Sequence, residues 1–224
     1  MAGRSLHSAL PVMALLAVFT THGGGWAVIT VEDLPDQVVV GRPVTLTFAV
    51  RQHGRTLLGG LAATVEARAG RQEVSAAATP ASETGRYSAT LTLPQAGEWT
   101  FTIHSGFGKG KLTLLPLVAL QSGRTAPALA EVDRGQRLFV AKGCVTCHVH
   151  PQVERSGTVE VGPDLTGRRY PPDYLKRFLT DPVSIVRPAR SGPFQMPNLN
   201  LKPTEVAALA TFINGDGQAL RSGE

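Results

Sequence analysis

Between residues 28 and 115 apolar and polar positions alternate along the chain. Val44, Leu46, Phe48 and Val50 are interleaved with Thr45, Thr47 and Ala49, a period of two that gives an extended strand one apolar face and one polar or small face. Tyr87, Ala89, Leu91 and Leu93 repeat it. Pro94-Gln95-Ala96-Gly97 then turns the chain into Trp99, Phe101 and Ile103, again separated by threonines, which predicts a hairpin with an aromatic inner face. Weaker strands are expected at 37–40, 61–68, 72–76 and 111–115. Together they make about seven, the number of a small β-sandwich.

The period changes in the last third. Residues 117–130 are small and proline-punctuated, and read as a linker. Residues 133–142 read as a helix with Asp133 as N-cap, and Gly135 and Phe139, four apart, share a face. Val206, Leu209, Ala210 and Ile213 hold the i, i+3, i+4 and i+7 positions of another helix, which Asn214-Gly215 would stop. A shorter helix at 171–180, bounded by Asp181-Pro182, puts Tyr174, Phe178 and Leu179 on one side.

Composition adds boundaries. With 224 residues, 24 glycines and 16 prolines, two small domains suit the chain better than one. The formal net charge of +5 is spread over both halves, and no basic block dense enough for a nucleic-acid arm occurs. Lys142, Arg168, Arg169, Lys176 and Arg177 could form a basic docking patch, or be ordinary solvated charges. Arg4 followed by an apolar run at 9–19 and by Gly25-Trp26-Ala27 reads as an export signal over residues 1–27. The run is short for a membrane span, so cleavage is favoured over an anchor.

The densest chemistry lies in Gly143-Cys144-Val145-Thr146-Cys147-His148. C-x-x-C-H is the attachment signature of a c-type haem: each thiol can form a thioether to one vinyl group, and the adjacent imidazole reaches the iron. Half a zinc site, a thioredoxin-like dithiol and an exported disulfide are alternative readings of the same pair.

From about residue 132 to 217 the chain resembles a class I cytochrome c. Gly135 and Phe139 look like that family's N-terminal helix, which crosses a C-terminal helix at a glycine, with Phe212 as partner aromatic. Lys202 stands where a capping Ser or Thr is common, ahead of Pro203 at N1. Val161-Gly162-Pro163-Asp164-Leu165 resembles the loop whose proline carbonyl accepts a hydrogen bond from the proximal histidine, so Pro163 would orient His148. Phe194-Gln195-Met196-Pro197-Asn198-Leu199 looks like the methionine-ligand loop. Met196 is the only methionine outside the leader and would be the sixth ligand; a core methionine is the alternative, and His150 is expected in solvent. Arg187 and Arg190 could pair with haem propionates. Tyr174, Phe178 and Leu179 would line the haem pocket.

The β half, through Gly85-Arg86-Tyr87, Leu91-Thr92-Leu93-Pro94 and Gly97-Glu98-Trp99, resembles the immunoglobulin-like sandwich of YtkA-like and FixH-like exported proteins. Some of those are associated with copper, which draws attention to His53 and His104, although two isolated histidines make a weak site.

The sequence therefore implies a multidomain chain: signal peptide or anchor at 1–27, all-β immunoglobulin-like sandwich at 28–116, linker at 117–130 and all-α cytochrome c domain at 131–224. The resemblance implies one covalent haem c on Cys144 and Cys147, with His148 and Met196 as axial ligands. It implies a periplasmic electron carrier rather than a stand-alone enzyme, with no catalytic residue. Its partners would be redox proteins such as a membrane oxidase, reductase or dehydrogenase complex, with membrane association through a partner or an uncleaved leader. A haem-based gas sensor or peroxidase, and a copper-binding or partner-docking sandwich with an auxiliary cytochrome, are the competing readings.

Overall fold

The computed structural model describes residues 25–155, 157, 159–185 and 195–215. Its N-terminal portion consists of β1 (Ala27–Val31), β2 (Gln37–Val39), β3 (Pro43–Gln52), β4 (Thr56–Leu57), β5 (Thr64–Ala69), β6 (Gln72–Ala77), β7 (Thr79–Pro80), β8 (Arg86–Thr92), β9 (Gly97–His104), β10 (Lys111–Thr113) and β11 (Leu117–Leu120). One sheet runs β1-β3-β8-β7 with β4 beside β3, and the other β2-β11-β9-β5-β6 with β10 beside β9. Neighbours are antiparallel except β11 and β2, which are parallel.

Alternation decides which side of each strand is buried. Leu46, Phe48 and Val50 of β3, Tyr87, Ala89 and Leu91 of β8, and Trp99, Phe101 and Ile103 of β9 enter one core. Phe48 faces Tyr87 across the β3–β8 register, with ring centroids 5.8 Å apart. Burial of the Tyr87 hydroxyl is offset because it donates to the Leu58 carbonyl at 2.6 Å and accepts from the Leu61 N–H at 3.1 Å.

Besides the two-residue strands β4 and β7, two strands depart from the sequence pattern. β1 is buried at all five positions, so no polar face advertises it. β11 lies inside the stretch expected to be linker, pairing with both β9 and β2. The sheets thus run on to Leu120, and the connection to the helices is correspondingly shorter.

Among the described residues the C-terminal portion holds α1 (Glu131–Ala141), a 3-10 turn (Cys144–Thr146), α2 (Pro172–Thr180) and α3 (Pro203–Asn214). Proline at the first position opens both α2 and α3, where its missing N–H would have no intrahelical partner anyway. The Lys202 N–H ahead of α3 donates to Glu205 Oε2 at 3.0 Å. α1 and α3 cross at Gly135: a Cβ there would lie 2.1 Å from the Ala208 carbonyl oxygen and 2.6 Å from Phe212 Cβ. Beside the crossing, the Phe139 and Phe212 rings are 5.6 Å apart. His150, expected in solvent, is instead 2% exposed and stacks on Phe212 at 4.1 Å. Its ring is wide and mostly carbon, so it fills the crossing as an aromatic residue would.

Candidate functional site

α1 delivers the Cys-x-x-Cys-His turn. Lys142 and Gly143 close the helix, their N–H groups donating to Leu138 and Val140 carbonyls at 2.8 and 2.9 Å. Gly143 has φ of 77°, a left-handed conformation that favours glycine, and it reverses the chain into the 3-10 turn. There the N–H groups of Cys147 and His148 both donate to the Cys144 carbonyl, at 3.1 and 2.9 Å. Two thiols and one imidazole are therefore presented by a single turn. Cys144 is buried, while Cys147 and His148 are half-buried.

A second loop is strapped across this turn. The N–H groups of Val159, Gly162 and Leu165 donate to the carbonyls of Thr146, Cys147 and Val149 at 2.8, 2.9 and 2.9 Å. His148 Nδ1 lies 3.0 Å from the Pro163 carbonyl oxygen. A carbonyl only accepts, so Nδ1 carries the proton and the ring's lone pair is on Nε2. Gly162 is what allows the strap to come so close: a Cβ there would stand 2.5 Å from His148 Cε1 and 2.6 Å from Nδ1.

The thiols are not joined in a disulfide. Burial pushes the Cys144 thiol up to about 12, with the neighbouring Cys147 adding to the rise, and burial alone pushes Cys147 up to about 11. A dithiol of the thioredoxin kind needs the opposite, a depressed thiol near neutrality. Among the described residues no three His, Cys, Asp or Glu side chains come together as a metal cluster. His53 meets the Trp26 ring edge-on at 5.6 Å. His104 is exposed at the end of β9, opposite Lys111 and Thr64. Two thiols spaced by two residues, beside an imidazole whose Nδ1 proton is already held, are the donor set a covalently attached haem requires.

Met196 is half-buried in the segment before α3 and packs against the core. Arg187, Arg190 and Phe194 lie outside the described residues. Tyr170, Tyr174 and Phe178 form a ladder with centroids 6.4 and 6.0 Å apart, while Leu175 and Leu179 anchor α2 to the core. Lys142 does not belong to a basic surface patch. It is 3% exposed, with Nζ 2.8 Å from Glu205 Oε1 and 2.6 Å from the Glu32 carbonyl, because an ammonium buried this deeply needs charge and hydrogen-bond partners. Arg168, Arg169, Lys176 and Arg177 are exposed. Neither Lys142 nor Gly162 could be assigned its role from sequence, since the contacts that define it come from distant segments.

No helix among the described residues is long and apolar enough to cross a membrane. Residues 130–213 match the family described as cytochrome c oxidase, cbb3-type, subunit III. No curated protein matches the chain. Among solved structures, a filamin domain of Lin-41 is similar at 16% identity and a TM-score of 0.34, over 42% of this chain and 90% of that one. A candidate glycoside hydrolase from Bacteroides vulgatus follows at 16% and 0.33, over 40% of this chain and only 17% of that one. Domains 4 and 5 of the S-layer protein SbsC give 18% and 0.32, over 41% and 50%. Likeness at these scores is too slight to define a shared fold.

Proposed function

We propose that this chain, whose C-terminal portion is a cytochrome c domain joined to a β-rich N-terminal portion, is an exported single-electron carrier holding one haem c between His148 and Met196. The observation that carries the reading is the strapped turn: Cys144, Cys147 and His148 on one turn, with His148 Nδ1 3.0 Å from the Pro163 carbonyl. The bound haem would supply the chemistry, a one-electron exchange between ferric and ferrous iron.

The chain's own residues hold it. Cys144 and Cys147 would bind through thioethers, and His148 would present Nε2 to the iron. The Pro163 carbonyl fixes the ring's rotation and raises its basicity by holding the Nδ1 proton. Met196 would supply a thioether, a weak ligand that favours the reduced state and suits a carrier. The Tyr170, Tyr174 and Phe178 ladder would help exclude water from the pocket, and Arg187 and Arg190 would meet the propionates. The β portion is read as an immunoglobulin-like sandwich of the YtkA or FixH kind, supported by its two largely antiparallel sheets. The matched family's description supports a membrane oxidase as redox partner, and the leader supports a periplasmic site of action.

Absorption spectra of the purified protein test this. A pyridine haemochrome of the c type, a low-spin ferric form with a methionine-to-iron charge-transfer band, and no carbon monoxide uptake by the reduced protein are expected. Ready uptake at neutral pH with Met196 intact would sink the carrier reading in favour of a gas sensor or peroxidase.

A further inference from the structure

We infer that the face of the cytochrome domain formed by the end of α1 and the start of α3 is a docking surface occupied by the chain's own β portion, through the acidic turn at residues 32–36. Three cations from separate points of the helical portion converge on that turn. Lys142, just past α1, donates to the Glu32 carbonyl at 2.6 Å. Lys202, just before α3, pairs with Asp33. Arg134, within α1, lies 4.0 Å from Asp36. Beside the turn, Leu34 packs against the core. Gly143 rests directly on β1, where a Cβ would be 2.4 Å from the Ile29 carbonyl oxygen and 2.7 Å from Val28 Cγ1. The residue that precedes Cys144 is thus seated on a strand of the other half.

Two features argue that this contact is built rather than incidental. Lys142 and Glu205 are 3% and 6% exposed, and a pair taken so far from water is tolerable only with its remaining hydrogen-bond needs met; the Glu32 carbonyl meets one of them. The second feature is Lys202. At the helix N-cap a Ser, Thr, Asp or Asn would accept from the first turn, which an ammonium cannot do. The position is given instead to Asp33, so a local preference yields to a contact between the two portions. A desolvated centre ringed by exposed charges is also the usual anatomy of a protein interface.

The consequence is that the two portions move as one body. A redox partner is kept off the α1–α3 face and must approach elsewhere on the domain, where Arg168, Lys176 and Arg177 are each exposed.

The test uses the full-length protein. Both tryptophans, Trp26 and Trp99, lie in the β portion, so their fluorescence reports its unfolding, while far-ultraviolet dichroism reports the helices. In the wild type the two thermal transitions coincide. Reversing the turn with Asp33→Lys and Asp36→Lys, whose side chains are 74% and 60% exposed and so not needed for folding, splits them. It also speeds tryptic cutting after Arg124 roughly tenfold. Pairing Asp33→Lys with Lys202→Asp brings the transitions back together. A wild type that unfolds in two steps, or a reversed variant that still unfolds in one, overturns the inference. Neither probe reads haem absorption, so an absence of haem would count against the proposed function separately.

Discussion

Gly135→Ala is the sharpest probe of the helix crossing, because its sign distinguishes a close contact from an ordinary helical glycine. In an open helix the change would stabilise by about 1 kcal/mol. Here the new Cβ would stand 2.1 Å from the Ala208 carbonyl oxygen and 2.6 Å from Phe212 Cβ, against the ~3.3 Å at which carbon and oxygen ordinarily meet. The obstacle is backbone, which no rotamer change can move aside. α1 and α3 would have to part by about 1 Å, and a gap of that size forfeits a quarter to a half of each facing dispersion well. Overpacking of this kind costs about 3 kcal/mol at the upper end of its usual range. Subtracting the ~1 kcal/mol of helix propensity leaves a net loss of about 2 kcal/mol. For a cooperative unit of this size that lowers the melting temperature by about 4–8 °C. Thermal unfolding followed by dichroism measures it. An unchanged or raised melting temperature would refute the crossing.

Three further outcomes are expected. Gly162→Ala puts a methyl 2.5 Å from His148 Cε1, so the ring turns away from Pro163 and the ferric absorption spectrum loses its low-spin form; a wild-type spectrum counts against the strap. Glu205→Leu strands the buried Lys142 and costs about 3–5 kcal/mol in denaturant unfolding, most of which returns in the double variant with Lys142→Met. A double variant as unstable as the single one would show that the pair is not the cause. Lys202, by its hydrogen bond and its charge, holds the Asp33 carboxyl below its ordinary range. A depressed folded value means a contribution that is full above the unfolded pKa and lost as pH falls through the folded one. Tryptic-like cutting by an acid-tolerant protease in 121–130 should therefore quicken below about pH 4, and Asp33→Asn should quicken it already at neutral pH while flattening the acid rise.

What the sequence reveals depends on how local the deciding contacts are. The alternation in β3, β8 and β9 is visible because each strand has one buried face and one exposed or polar face. β1 escapes notice because both of its faces are covered, one by the sheet core and the other by Gly143 and its neighbours. β11 is hidden by the prolines and small residues around it, since its pairing with β2 depends on a segment far back in the chain. At the site, the thiols, His148 and the Pro163 bond were legible as a motif and a family loop. The burial of His150 was not, because only the assembled α1–α3 crossing gives an imidazole two aromatic neighbours. Lys142 reads as a surface charge until Glu32, 110 residues earlier, is folded against it.

The short connection between Leu120 and Glu131 changes how strong the contact between the halves must be. It is itself pinned, with the Ala126 N–H donating to Gln37 Oε1 at 2.8 Å. A tether of this length holds its two ends at a local concentration on the order of millimolar. An interface with an intrinsic dissociation constant of about 10 μM would then be closed roughly 99% of the time within one molecule. The same two halves, supplied as separate chains at micromolar concentration, would largely remain apart. At that strength covalent continuity, more than tight binding, would keep the acidic turn on its cations.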